Sequence, residues 1–155
     1  EGTLQRNFQG YSTHGGTELY AFGISAISQL RDAYVQNVLT LPEYYAALDR
    51  GHLPVGKGYV LTDEDRLRRH VIMALMCHFR LDVLEVERRF GIDFRAHFAD
   101  ALTQLEEMEA DGLVVRRPDV IEVTETGRFF IRNVAMAFDA YLQATSDRPM
   151  YSQTV

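Results

Sequence analysis

The chain has 155 residues, 46% hydrophobic and 25% charged, a balance that excludes a disordered chain and allows one domain with a real core. Its formal net charge of −6 argues against a basic nucleic-acid surface, and no apolar run approaches the ~18–20 residues needed to cross a bilayer. Cys77 is the single cysteine, so an internal disulfide is excluded and a reducing, cytoplasmic setting is expected.

In chain order, the start is polar and glycine-rich and opens on Glu1 rather than Met, which reads as a piece cut from a larger protein. Leu19 to Gln36 holds small and β-branched residues, which predict a strand or two with a turn near Arg31-Asp32. Leu41 to Gly51 predicts a short helix, with Thr40 to cap it, Pro42 in its first turn and Gly51 at its end. His52 to Tyr59, carrying Pro54, Gly56 and Gly58, reads as a loop.

Residues 61–145 are dense in helix signals. Thr62 precedes Asp63-Glu-Asp65, an N-cap followed by acids that suit the positive helix end. Leu67, Val71, Ala74, Leu75 and Phe79 then recur at helical spacing. Asp82 to Phe90 predicts a second helix with Val83 and Leu84 inward and Gly91 closing it. Asp93 caps a third, with Phe94, Phe98, Leu102, Leu105 and Met108 on its apolar face and Gly112 as a stop. Two β-like runs around Arg117-Pro-Asp119 predict a hairpin. Thr124 opens a last helix to about Ala144, with Phe130, Val134, Phe138 and Tyr141 on one stripe.

The expected fold is therefore mainly α. A β/loop segment over 1–60 with one short helix precedes a winged-helix-like domain over 61–145 (three helices, a β-hairpin, a C-terminal helix). A flexible tail follows over 146–155.

Catalytic constellations are missing from this pattern. Cys77 and His78 are adjacent on a helix, so their side chains diverge by about 100° and do not grip one ion together. Cys77 reads as core and His78 as partly exposed, while His70 and His97 read as solvated on polar helix faces. No phosphate-binding glycine loop occurs. A winged-helix shape raises the alternative of a DNA-binding or protein-interaction domain. The third helix, however, presents Asp100, Glu106, Glu107, Glu109 and Asp111 against only Arg95 and His97, which repels phosphates.

The segment Arg6-Asn-Phe-Gln-Gly-Tyr-Ser-Thr13 is the most specific in the chain. With Gly23-Ile-Ser-Ala-Ile-Ser28, Tyr34-Val-Gln-Asn37, Cys77-His-Phe-Arg-Leu-Asp82 and Gly127-Arg-Phe-Phe-Ile-Arg-Asn133 it resembles the bacterial oxygen-independent coproporphyrinogen III oxidases. The resemblance runs from the first residues to about Leu142.

It implies that this chain is the C-terminal part of a radical S-adenosylmethionine enzyme of haem synthesis. The implied whole enzyme joins a catalytic barrel, with a [4Fe-4S] cluster on three closely spaced cysteines, to a mainly helical domain. Its implied reaction is the oxidative decarboxylation of two propionates of coproporphyrinogen III, giving protoporphyrinogen IX.

The three-cysteine motif is absent, because one cysteine does not hold such a cluster. No catalytic residue, no metal, no bound cofactor and no turnover are therefore expected of this chain alone. The resemblance carries over Ile27, whose backbone would contact S-adenosylmethionine beside the small Ala26, and Gln9, whose amide would lie near a second cofactor molecule. Phe8, Gly10 and Tyr11 would shape the same wall, and Arg6 would suit a substrate propionate. The implied partners are coproporphyrinogen III and the N-terminal barrel, with no nucleic acid, no membrane and a monomeric whole enzyme.

Overall fold

The structure is a computed structural model, and it describes residues 4–7, 10–14 and 16–144. The chain divides into two compact units, Glu1–Arg66 and Leu67–Val155. The expected tail over 146–155 lies outside the described residues.

Unit one holds two antiparallel sheets. Strands β1 (Gln5–Asn7) and β2 (Gly10–Ser12) form a hairpin within the opening segment, which sequence read only as polar and glycine-rich. Strands β3 (Ile27–Gln29), β4 (Ala33–Asn37) and β5 (Val55–Val60) form a three-stranded sheet in that order. β3 and β4 are the expected strands, and the turn between them contains Arg31 and Asp32. Helix α1 (Leu41–Asp49) follows, with proline in its first turn; Thr40 flanks it but donates its hydroxyl to Glu43 (2.6 Å) instead of capping a backbone N–H.

Strand β5 corrects the loop expected over 52–59. Gly56 and Gly58 hide the strand in the sequence. Gly56 also eases it: a Cβ there would lie 3.2 Å from the Cα of Val38, tighter than an ordinary contact, so glycine lets the two backbone segments approach without displacement.

Unit two is built around one core. Helix α2 (Asp63–His78), which starts in unit one, is capped as expected: Thr62 Oγ1 accepts from Asp65 N–H (3.1 Å), and Asp65 Oδ2 accepts from Thr62 N–H (2.8 Å). A short strand β6 (Arg80–Asp82) then leads into α3 (Val83–Phe90), α4 (Phe94–His97) and α5 (Ala99–Ala110). Strands β7 (Val114–Arg116) and β8 (Val120–Val123) make the expected hairpin, and β6 joins it in the sheet order β6-β8-β7. Last come a 3₁₀ turn (Gly127–Phe130), α6 (Ile131–Met136) and α7 (Ala140–Ala144).

The core packs Val71, Leu75, Leu81, Val86, Phe94, Phe98, Leu105, Val134 and Phe138, each at most 2% exposed. The three phenylalanines form an edge-on and tilted cluster with centroids 4.8 to 6.3 Å apart.

Several expectations change here. Three antiparallel sheets stand beside the helices, so the chain is less purely helical than its sequence reads. Leu84 is 52% exposed; α3 buries Val83 and Val86, one turn apart. The third helix breaks at Phe98, whose ring enters the core while its backbone leaves helical geometry (φ −109°, ψ 30°). The last helix is three short pieces, with Val134 and Phe138 buried but Phe130 and Tyr141 outside. His70 is not simply solvated: its ring lies 2.9 Å from Glu85 and near Phe90. Cys77 is buried and His78 exposed, as read.

Candidate functional site

The sequence points to Ile27 and Gln9. Gln9 and its neighbour Phe8 lie outside the described residues. Ile27 opens β3, the edge strand of its sheet, opposite Gln36 in β4.

The hydrogen-bond phase of the strand decides what Ile27 presents. Asn37 N–H donates to the carbonyl of Ala26, so the pair Ala26–Asn37 is bonded across the sheet. Gln29 exchanges both of its main-chain bonds with Leu19 on the outer side (2.8 and 2.9 Å). In an antiparallel ladder the bonding direction alternates residue by residue. Ile27 shares the phase of Gln29, and its N–H and C=O face the same outer edge.

A short loop runs along that edge, and side chains hold it. Asn37 is 9% exposed, and its amide donates to the carbonyls of Gly23 (2.8 Å) and Ala21 (3.4 Å). Gln36 donates from its amide to the Ser25 carbonyl (3.0 Å). Gly23 N–H donates to the Tyr44 hydroxyl, and Ala21 N–H donates to Ser28 Oγ. Ser25 is held in the left-handed region (φ 55°), a strain that this net of bonds offsets. The loop leaves Phe22 87% exposed.

Upstream, Glu18 accepts from Arg31 N–H and from the Tyr20 hydroxyl. Those two bonds, the main-chain one first, hold the Glu18 carboxyl below the usual range, while the carboxylate pushes the Tyr20 hydroxyl up.

The hairpin adds a second wall. A small cleft lined by Gln5, Arg6, Asn7, Ser12, Leu19 and Gln29 brings β1 and β2 beside the outer neighbour of β3. The Arg6 guanidinium lies 5.9 Å from the Tyr11 ring centroid, and no carboxylate pairs with it among the described residues. Of the sequence segments singled out for resemblance, those around Arg6, Ile27 and Gln36 lie within unit one, and those around Cys77 and Gly127 lie in unit two. Asn37, Ser28 and Tyr44 had no role assigned from sequence, because a polar residue in a strand or helix gives no hint of which distant carbonyl it will meet.

Among the described residues no three His, Cys, Asp or Glu side chains converge on an ion site, and Cys77, the single cysteine of the sequence, is buried in unit two. An iron–sulfur cluster needs several thiolates, so these residues do not fit one. No helix among the described residues is long and apolar enough to cross a membrane.

Residues 61–130 match the family model described as the HemN C-terminal domain. The chain is 46% identical to the oxygen-independent coproporphyrinogen III oxidase of Synechocystis over 99% of its length, and 41% identical to that of Escherichia coli over all of it. A solved structure of the Escherichia coli enzyme, described as a radical SAM enzyme, superposes with a TM-score of 0.86 at 44% identity, covering 90% of this chain and 32% of that one. The chain spans about a third of the length of these curated relatives (34% of each). Along nearly all of its length the chain is thus similar to about a third of the length of the oxygen-independent coproporphyrinogen III oxidases, and its residues 61–130 match the HemN C-terminal domain.

Proposed function

We propose that the chain acts as the part of a coproporphyrinogen III-decarboxylating enzyme that closes its cofactor and substrate site, and that it does not turn over alone. The observation that carries this reading is the outward-facing main chain of Ile27 beside a loop pinned by Asn37. A purine offers one donor and one acceptor along an edge, and an exposed strand edge offers the complement. The small Ala26 next to it keeps that edge approachable. S-adenosylmethionine is the group this edge would hold, and when bound it supplies the hydrogen-abstracting chemistry.

The [4Fe-4S] cluster belongs to a catalytic barrel outside this chain. Within the chain, Ile27 binds and orients through its main chain, Gln9 would contribute an amide, and Arg6, with no carboxylate partner among the described residues, would meet a propionate of coproporphyrinogen III. Catalytic groups and metal ligands are assigned to none of its residues.

Residues 1–60 serve as the barrel-adjacent segment, and 61–145 as a winged-helix-like domain followed by a tail. The helix–strand–helix order and the sheet order β6-β8-β7 support that likeness. The whole enzyme works in the cytoplasm as a monomer, without nucleic acid or membrane.

The test uses the whole enzyme. Ile27→Pro removes the outward N–H, Ile27→Val keeps it, and Gln9→Ala removes the amide. S-adenosylmethionine affinity and decarboxylation are measured beside thermal melting. Loss of affinity in Ile27→Pro and Gln9→Ala, with melting unchanged and Ile27→Val normal, is expected. Retention of both binding and decarboxylation in the two variants overturns the assignment. Loss of melting temperature with normal affinity points instead to a purely packing role.

A further inference from the structure

The geometry points to a second binding site in unit two, for a small apolar molecule that carries one carboxylate. A cleft of about 360 Å³ opens between α5 and the β7–β8 hairpin. That volume falls at the lower end of the ~300–1,000 Å³ of small-molecule pockets. Its floor is apolar: Val83, Phe94 and Ile121 are each at most 4% exposed, and Leu102 is half-buried above them.

The rim is charged, and its charges are paired unevenly. Three arginines (Arg95, Arg116, Arg117) and two glutamates (Glu106, Glu109) line it. Both glutamates turn toward Arg116, Glu109 through hydrogen bonds and Glu106 through a longer approach. Glu109 accepts from the main-chain N–H of Arg116 (2.7 Å) and from its guanidinium (2.8 Å), and Glu106 lies 3.8 Å from the same guanidinium. Arg116 spends a further donor on the Leu102 carbonyl (2.7 Å). Arg117 pairs with Glu122 outside the cleft.

Arg95 is the cation left over. It stands on the short α4 and has no hydrogen-bond or ion-pair partner among the described residues. An apolar floor under one uncommitted guanidinium selects a ligand with an apolar body and an anionic end. A cationic end would meet the like charge of Arg95.

The site is lined by residues of unit two alone, so its test does not depend on the reading of Ile27. The probe is 8-anilinonaphthalene-1-sulfonate, an apolar ring system with one anionic group, titrated into the full folded chain. Saturable fluorescence with one-site stoichiometry is expected, displaced by decanoate and not by decylamine. Arg95→Ala should weaken probe and decanoate about tenfold, the worth of one charge-assisted hydrogen bond. Arg132→Ala, which removes an exposed cation on α6, should leave both unchanged. Circular dichroism melting checks that each variant is folded, because partly unfolded chains bind this probe without saturation. The site is overturned if the folded chain gives no saturable signal, if decylamine competes as well as decanoate, or if the two arginine variants behave alike.

Discussion

Gly127 shows how little room a single position leaves. It is buried where the chain turns out of β8, and a Cβ there would run into the Leu113 carbonyl and against Val123. The obstacle is backbone, so relief requires the 3₁₀ turn and the strand to move apart. Gly127→Ala should therefore destabilise unit two by about 3 kcal/mol, read as a lowered urea midpoint at unchanged slope. Asn37 is the corresponding residue of unit one. Asn37→Leu keeps the volume but strands the carbonyls of Gly23 and Ala21, at a cost of about 1–3 kcal/mol. In the whole enzyme the same change should lower S-adenosylmethionine affinity more than it lowers the melting temperature, as measured by calorimetric titration beside a thermal scan. Asn37 lay in plain view in the sequence. Its importance did not, because its partners are 14 and 16 residues away and belong to a loop without a pattern.

Among the elements, short helices depend on their ends. α3 spans only eight residues, and Asp82 accepts from Glu85 N–H (2.8 Å) at its start. Asp82→Ala should cost about 1 kcal/mol, visible as a small shift in the denaturation midpoint. Between elements, Glu109 ties α5 to β7. The main-chain N–H of Arg116, then its guanidinium, hold the Glu109 carboxyl below its ordinary value of 4.5. A carboxylate depressed in the folded state binds protons more tightly when unfolded. Its contribution is therefore present above pH 4.5 and is lost as pH falls through the folded value. Urea midpoints should fall across that window in the parent chain and fall less in Glu109→Gln, which starts lower at pH 7 and converges at acid pH. Helix caps were legible here because Thr62 and Asp93 act locally, through the next three residues. Helix lengths were not. The apolar stripe through Phe94, Phe98 and Leu102 continues across a break at Phe98, since a ring can hold its place in the core while the backbone departs from the helix.

At the level of the whole molecule, the two units differ in how they are held. The core of unit two gathers residues from Leu67 to Phe138. Every residue of strand β5 in unit one is exposed, and buried hydrophobic residues are few there. Native-state hydrogen exchange should be slowest at Val71, Leu75, Leu105 and Val134, and faster across β3 to β5. Equal protection of both units would show that unit one owes its stability to more than its own sheet. The exposed Phe22, Leu53 and Val60 belong to the same description: unit one presents apolar groups that its own residues do not cover.

The sequence by itself determined the resemblance, the cap and stop residues of most helices, the β7–β8 hairpin and the presence of a single cysteine where a cluster needs several. These are properties of residue identity and of spacing within a turn or two, where the physics is local. Tertiary structure decided the rest. It turned a glycine-spaced stretch into β5, because β4 supplied the hydrogen bonds. It chose Val86 over Leu84 for the core, broke two helices over buried rings, aimed the main chain of Ile27 outward through its pairing phase, and left Arg95 without a partner. Each of those outcomes depends on groups distant in the chain, and only folding brings them within reach.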